Sequence, residues 1–448
     1  MQRIAFLCIM LLVAVGVDAQ SLSPLDFGWR KATTDIARYN VLYRTHTEAV
    51  RQNKSVSYKG IAVANIAIAL DAKPIPRTPQ TDFGGLVVNV TSCAKNAFVF
   101  SMIGTGRKHI SGVKKSHIDK GDFRQYANLA KGDVMLLLQD QNAWGERQGS
   151  TEPIVRRDIL LLHDGIAENS VVQPYDNNYS SPKCEYLKVD GVKRWVKNLT
   201  FNRGANLKYM AKPLDFQFLD NITVENVTLT TPQSSLTGDE AFRVFHCANV
   251  TFRNITVNST YSSAKKYGYA FYMINVYNFV GHNIKAHAPW GVFGCMSINT
   301  ALLESCDLNR WDIHYYGKNA TLRTTVFRNL YNQYSSTYGT VLYDSCTFVN
   351  SIPYLMDPSY RSYVKHKVVF RDCTVNSTDS NASLFVMNPG LSLSSSRQEL
   401  KKKYWPDVEI TNLTVITHDG NGRQTSRTIK AKKYTNNSKI TQSLKYIQ

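Results

Sequence analysis

Glycine and proline are sparse, at 25 and 14 in a chain of 448 residues. That excludes a collagen-like chain and, with 43% hydrophobic residues, an intrinsically disordered one. No apolar run beyond residue 20 is long enough to cross a bilayer. Cysteine occurs eight times, but no pair has C-x-x-C spacing, so a zinc site is poorly supported. Acidic residues are in deficit: 34 Asp+Glu against 53 Lys+Arg leave a formal net charge of +19. Such an excess attracts polyanions. No nucleic-acid motif accompanies it, so nucleic acid is not the expected partner.

What is present begins with an export signal over residues 1–20. Arg3 supplies the positive end, Ile4 to Val17 is nearly all apolar, and Val17-Asp18-Ala19 fits a small-residue cleavage site. The expected location is exported, periplasmic or secreted. For an exported basic protein the expected polyanion is an acidic polysaccharide. Seven cysteines remain after the signal, an odd number, which leaves at least one thiol unpaired.

A pattern of apolar-x-apolar-x-polar-apolar-x-apolar then recurs. It reads RWVKNLTF (194–201), ITVENVTL (222–229), VTFRNITV (250–257), FVGHNIKA (279–286), ALLESCDL (301–308), ATLRTTVF (320–327), VLYDSCTF (341–348), VVFRDCTV (368–375) and VEITNLTV (408–415). The sixth residues, Leu199 through Leu413, are spaced by 28, 28, 29, 22, 19, 21, 27 and 40. A period-2 strand repeated every 20–30 residues or so is the signature of a β-solenoid, and helical repeats would need a 3.6-residue period. The fifth residue is Asn198, Asn226, Asn254, Asn283, Ser305, Thr324, Ser345, Asp372 or Asn412. Asn tolerates the left-handed region best after Gly, so these positions predict bends whose side chains form a ladder. Cys306, Cys346 and Cys373 fall in one interior column, where Cys346 and Cys373 could pair or stack as thiols.

The segment 33–52 predicts an amphipathic helix anchored by Ile36, Val41, Leu42 and Ala49. β-Rich runs follow at 61–70, 83–90, 98–103, 132–139 and 156–165. The expected organisation is a signal (1–20), an N-terminal cap including a helix (21–60), a β-helix (61–416) and a basic tail (417–448), the last a final strand pair or a free end.

A capping helix, short β-runs and coils with an Asn-bearing bend resemble the right-handed parallel β-helix family. That family includes pectate lyase-like and chondroitinase-like polysaccharide lyases, phage tailspikes and some glycoside hydrolases. The resemblance covers roughly residues 30–416. It implies an all-β fold, a single-stranded right-handed parallel β-helix with an N-terminal capping helix. It also implies action on a polysaccharide.

Outward positions of the repeat strand carry Glu225, Arg253, His282, Lys285, Glu304, Asp307, Arg323, Asp344 and Arg371. Their largely alternating signs predict a cross-strand charge ladder. The other reading is a calcium or sugar site on Glu304, Asp307 and Lys285, although calcium takes about six to eight oxygens. No cofactor is otherwise expected. A second group follows the repeat strand in IKAHAPWGVFG and LNRWDIHYYGK. If Ile313 points inward, alternation puts His314 and Tyr316 outward, where they could converge with His287 and Arg310 on one groove. Trp290, Asn309, Trp311, His246, Lys285 and Tyr272 extend the substrate-binding set.

The matching chemistry is β-elimination on a uronic-acid polymer. Arg310 suits the substrate carboxylate, because a guanidinium grips it in two places. His314 suits the base and Tyr316 the acid, or the reverse. Glycosaminoglycans such as chondroitin sulfate or hyaluronan are the first expectation for the substrate. A hydrolase would need two carboxylates, such as Asp312 with Asp307 or Glu304, and Asp357 is a further outlying acid. A non-catalytic polysaccharide-binding β-helix is the third class. Endo or exo action and oligomeric state are not legible.

Overall fold

The computed structural model describes residues 21–147, 153–172, 182–204, 207–234, 239–261, 268–288, 290–329, 332–334, 337–351, 353–356, 360–362, 365–378, 386–387, 407–418 and 421–434. The signal 1–20, Asp357, and most of the loops at 259–268 and 387–396 lie outside the described residues.

The chain winds into a parallel β-helix. One coil shows how. Val250–Arg253 form face A, and Asn254 bends the chain. Ile255 and its successors form face B, and face C runs over 268–274 after a loop. Asn275 then bends the chain onto a two-residue edge, and Asn278 bends it into the next coil. Every repeat strand pairs in parallel and in register with the next, as in Val224↔Phe252 and Val227↔Ile255. All nine fifth-position residues have positive φ, from 49° at Thr324 to 61° at Asn198. Their amides bond up the stack: Asn226 Nδ2 donates to Asn198 Oδ1 (3.0 Å), Asn254 to Asn226 (3.0 Å) and Asn283 to Asn254 (2.9 Å). The ladder offsets part of the backbone cost of the left-handed bend with side-chain hydrogen bonds between successive coils.

Two further bend columns were not read from the sequence. One runs Phe218, His246, Asn275, Ser297, Tyr316, and the other Asn221, Asn249, Asn278, Thr300, Asn319. They mix residue types, so no Asn pattern announces the first of them.

The interior is dry. The sixth-position column from Leu199 to Leu413 is buried throughout. Each buried aliphatic side chain there contributes roughly 1.5–3 kcal/mol. Behind face C stands an aromatic stack: Phe242 on Phe271 (4.8 Å), Phe271 on Phe293 (4.6 Å) and Phe293 against Trp311 (5.1 Å). Cys306, Cys346 and Cys373 are buried free thiols, as are the other four cysteines described.

The helix Asp35–Gln52 covers the N-terminal end. Thr34 accepts from Ala37 N (3.1 Å), and Val41, Leu42 and Ala49 face the core. Ile36, expected as an anchor, is instead 48% exposed. At the other end Gln424–Tyr434 pairs antiparallel with Asp407–His418, so the described part of the basic tail is a closing strand.

The runs at 132–139 and 156–165 are not coils. Asp133–Arg147 and Pro153–His163 form an antiparallel hairpin, joined by Lys108–Ile110 and Lys183–Lys188. One side of this inserted sheet, with Leu136, Leu138, Leu160 and Leu162, packs on its own small core around Phe123 and Leu129. The other side, with Met135, Leu137, Ile159 and Leu161, packs on Ala248 at the short edge of the β-helix. A sheet buried on both faces reads as continuous apolar runs, which is why these strands resembled solenoid strands in sequence. Polar contacts fix the seat: Asn299 Nδ2 donates to Ser170 O (2.6 Å) and Lys318 Nζ to Ser170 Oγ (2.6 Å). Among the described residues no helix is long and apolar enough to cross a membrane.

Candidate active site

The two shortest repeat spacings bring faces C of two coils together with little intervening loop. Gly291–Met296 lies directly against Trp311–Tyr315. The register slips once here: Ile313 pairs with Cys295 and Tyr315 with Met296, so His314 is an extra residue. A bulge of this kind re-aims its side chain. His314 leans over Asp312, its Nε2 2.9 Å from Asp312 Oδ2. Asp312 is fully buried and its Oδ2 also accepts from Tyr269 OH (3.0 Å) and pairs with Arg310 Nη2 (2.6 Å). The Tyr269 oxygen lies 2.8 Å from His314 Nε2. Tyr269 and His314 remain partly exposed on face C, whereas Arg310 is buried, donates to Trp290 O (3.2 Å) and lies over the Trp290 ring (5.1 Å).

Two glycines make this possible. A Cβ on Gly294 would stand 2.5 Å from the Tyr269 ring, and one on Gly291 would stand 2.8 Å from Arg310 Cδ. Tyr269 was missed in the sequence reading. The signal available was the pair of strand glycines in PWGVFG, since glycine inside a strand often marks close approach.

The remaining expected site residues separate. Tyr316 is not beside His314. The bulge moves it into the bend column with φ 62°, where it is 1% exposed and packs with Val172 under the inserted sheet. Burial pushes its hydroxyl pKa far up. Arg310 does not face the groove, as described. Trp311 ends the interior aromatic stack and is fully buried. Asn309 is an internal clamp: its Nδ2 donates to Ala288 O and its Oδ1 accepts from Ala288 N (3.3 Å).

His287 and Lys285 lie on face B, exposed and away from His314, with His287 Nε2 3.3 Å from Asp307. Asp307 also takes two bonds from Arg328 (2.8 and 3.0 Å). Burial acts against it, but Arg328 and then His287 hold its carboxyl below the usual range. Glu304 pairs with Arg323 (3.3 Å) and lies 3.5 Å from His282, so the acids read as a calcium option belong to the charge ladder. Among the described residues no group of three or more His, Cys, Asp or Glu could hold a metal ion.

His246 sits in the second bend column, stacked on Phe218 (4.8 Å) with its Nδ1 3.1 Å from Asn275 Nδ2. Burial, then Arg157 and Arg107, lower its pKa to about 4; burial, then Arg77, lower that of His46 in the cap helix to about 3. Below about pH 6.5 the unfolded chain binds protons that the fold refuses. Stability is therefore full above that pH and is lost as pH falls towards 4. Urea midpoints taken from about pH 7.5 to about pH 4.5 should decline, and His46→Gln should flatten the decline. A midpoint independent of pH would contradict the buried neutral rings.

Face C continues as a polar and aromatic track. Arg243 makes two bonds to Asp215 (2.8 and 2.6 Å) and lies over Phe98 (4.2 Å), Lys212 reaches the same ring (5.1 Å), and Phe245 meets Tyr272 edge-on (5.4 Å). A β-helix with His314, Tyr269 and Arg310 gathered on the buried Asp312 carboxylate, beside an aromatic-lined face, is the architecture.

No protein-family model matches the sequence, and no curated protein matches it. Among solved structures the chain is similar to the tailspike protein gp49 of Pseudomonas phage LKA1, at 12% identity and TM-score 0.49 over 81% of this chain and 66% of that one. It is also similar to the tailspike gp61 of Pseudomonas phage phi297 (12%, TM-score 0.41, 80% and 74% of the two chains). A third is the Gp54 tailspike of Acinetobacter baumannii bacteriophage AP22, in complex with A. baumannii capsular saccharide (10%, TM-score 0.38, 80% and 70%).

Proposed function

We propose that the protein is a polysaccharide lyase that cleaves an acidic, uronic-acid-containing polysaccharide by β-elimination on face C. The observation that carries this reading is the His314–Tyr269 pair, 2.8 Å apart and held by one buried carboxylate. His314 takes the C5 proton of the uronate. The C5–H electrons form the C4=C5 bond as the C4–O bond breaks, and Tyr269 gives its proton to the leaving oxygen. The products are then an imidazolium and a phenolate in direct contact, so one proton transfer between them restores the site. Asp312 favours the imidazolium as it forms, the role a buried carboxylate plays beside a general base. Arg310 pairs with the same carboxylate (2.6 Å).

Lys212 and Arg243 suit substrate carboxylates farther along the polymer. Arg243 lies three coils from Asp312, about 14 Å at about 4.8 Å per coil. Hydrolysis fits less well. Asp215 and Asp312 on face C are four coils and about 19 Å apart, against about 5–9.5 Å in glycosidases, and Asp239 and Glu240 lie on the same face opposite Gly268 and Tyr269. Glycosaminoglycans are the preferred substrate class on the strength of the +19 charge.

The test is ultraviolet absorbance of the unsaturated product with chondroitin sulfates, hyaluronan, heparin, alginate and pectate, each with and without a chelator. A rise is expected with at least one substrate and no loss on chelation. His314→Ala and Tyr269→Phe should each slow it by about a hundredfold or more, the range of a lost general base or acid. Reducing ends without absorbance would replace elimination by hydrolysis.

A further inference from the structure

Round the short edge from face C, on the far side of the inserted sheet, face A carries a trough of about 580 Å³. That volume lies within the range of about 300–1,000 Å³ typical of ligand sites. Its floor is a row of small outward residues, Thr223, Thr251 and Val280, stacked in register above Trp195. Along one margin runs the Asn221–Asn249–Asn278 bend column. Its amides are oriented by the ladder, Asn278 donating to Asn249 (2.7 Å) and Asn249 to Asp220 (2.8 Å). At the N-terminal end the Trp195 ring stands half-exposed with Lys197 Nζ 4.7 Å from its centroid, and Lys193 is exposed beside it. In the next coil of the same row Leu302 replaces the small residues, with Thr321 and Leu342 beyond it. The low stretch is therefore bounded, about three coils or 14 Å long.

We infer that this trough is a second saccharide-binding site, non-catalytic, that holds a short segment of an acidic polysaccharide. An aromatic ring offers a platform for the C–H face of a sugar, fixed amides address hydroxyls, and at one end exposed Lys193 addresses carboxylate or sulfate, beside Lys197, which is paired with Asp82 (3.2 Å). The charged residues lining the trough are Lys193, Arg194, Lys197 and Glu225, and the inserted sheet stands between it and the Tyr269–His314 cluster. Its task is to retain the polymer while the other face works. The assignment of the ligand rests on the substrate class proposed above, and the binding itself does not depend on cleavage.

The experiment is affinity electrophoresis of the full chain bearing His314→Ala, in gels containing chondroitin sulfate, hyaluronan or pectate. Trp195→Ala, and separately Thr251→Tyr, which fills the trough, should each weaken retardation by about tenfold, the loss of one stacked aromatic contact. In the chain with His314 intact, Trp195→Ala should raise KM for polymer and leave kcat unchanged. Retardation that neither variant alters overturns the inference. Retardation that depends on Trp195 and Thr251, with no absorbance rise on any polymer, keeps the trough and rejects the elimination reading.

Discussion

Asp312→Asn is expected to lower the elimination rate by about four orders of magnitude, the cost of losing the carboxylate that orients a catalytic imidazole elsewhere. Asp312 Oδ2 is the point where Tyr269, His314 and Arg310 meet, at 3.0, 2.9 and 2.6 Å. An amide of the same shape carries no charge for the imidazolium and presents donors where acceptors are needed. Arg310, 2% exposed, would lose its counterion. Breaking a buried pair in this way costs about 3–5 kcal/mol. Activity and urea denaturation must therefore be read together. A folded variant with a rate within tenfold of the parent would show that His314 is not the base.

The second large effect is structural. Arg156→Leu should destabilise the protein by about 3–5 kcal/mol, through the same loss of a buried partner. Arg156 is fully buried in the inserted hairpin, its Nε 2.9 Å from Asp158 Oδ2, and it faces Asp140 across the strand pair. Asp158 Oδ1 accepts from Val172 N (2.7 Å), and Val172 packs on Tyr316 of the β-helix. Without Arg156, Asp140 and Asp158 are two buried carboxylates on adjacent strands. The sheet should loosen from the short edge before the coils unfold, and limited proteolysis within 108–188 is the measurement. A variant as stable and protease-resistant as the parent would remove the cluster from the docking energetics.

The coil was legible because one bend per turn is nearly uniform in type. Asn198, Asn226, Asn254 and Asn283 mark it, and strand alternation on either side names the core. Of the other two bend columns, one is also mostly Asn (Asn221, Asn249, Asn278, Asn319), but the other carries Phe218, His246 and Tyr316, whose types say little of left-handed backbone, so face C beyond it could not be phased. His314 and Arg310 both meet Asp312, but Arg310 is buried against it and does not face the groove as expected. One inserted residue decided the rest. Alternation counted through LNRWDIHYYGK puts Tyr316 beside His314, and the bulge at His314 sends Tyr316 under the sheet. Tyr269 lies 45 residues earlier, and only the stacking of coils brings it near.

The closing strand Gln424–Tyr434 has a colloidal consequence. Solenoids end in rows of unpaired amides and carbonyls, and such rows template end-to-end fibre growth. Here the last described rung runs antiparallel to the coil before it, a polarity that does not match a further parallel coil. It also bears Arg427, Lys430, Lys432 and Lys433, exposed along its length. Two molecules meeting at these strands would set like charges against each other.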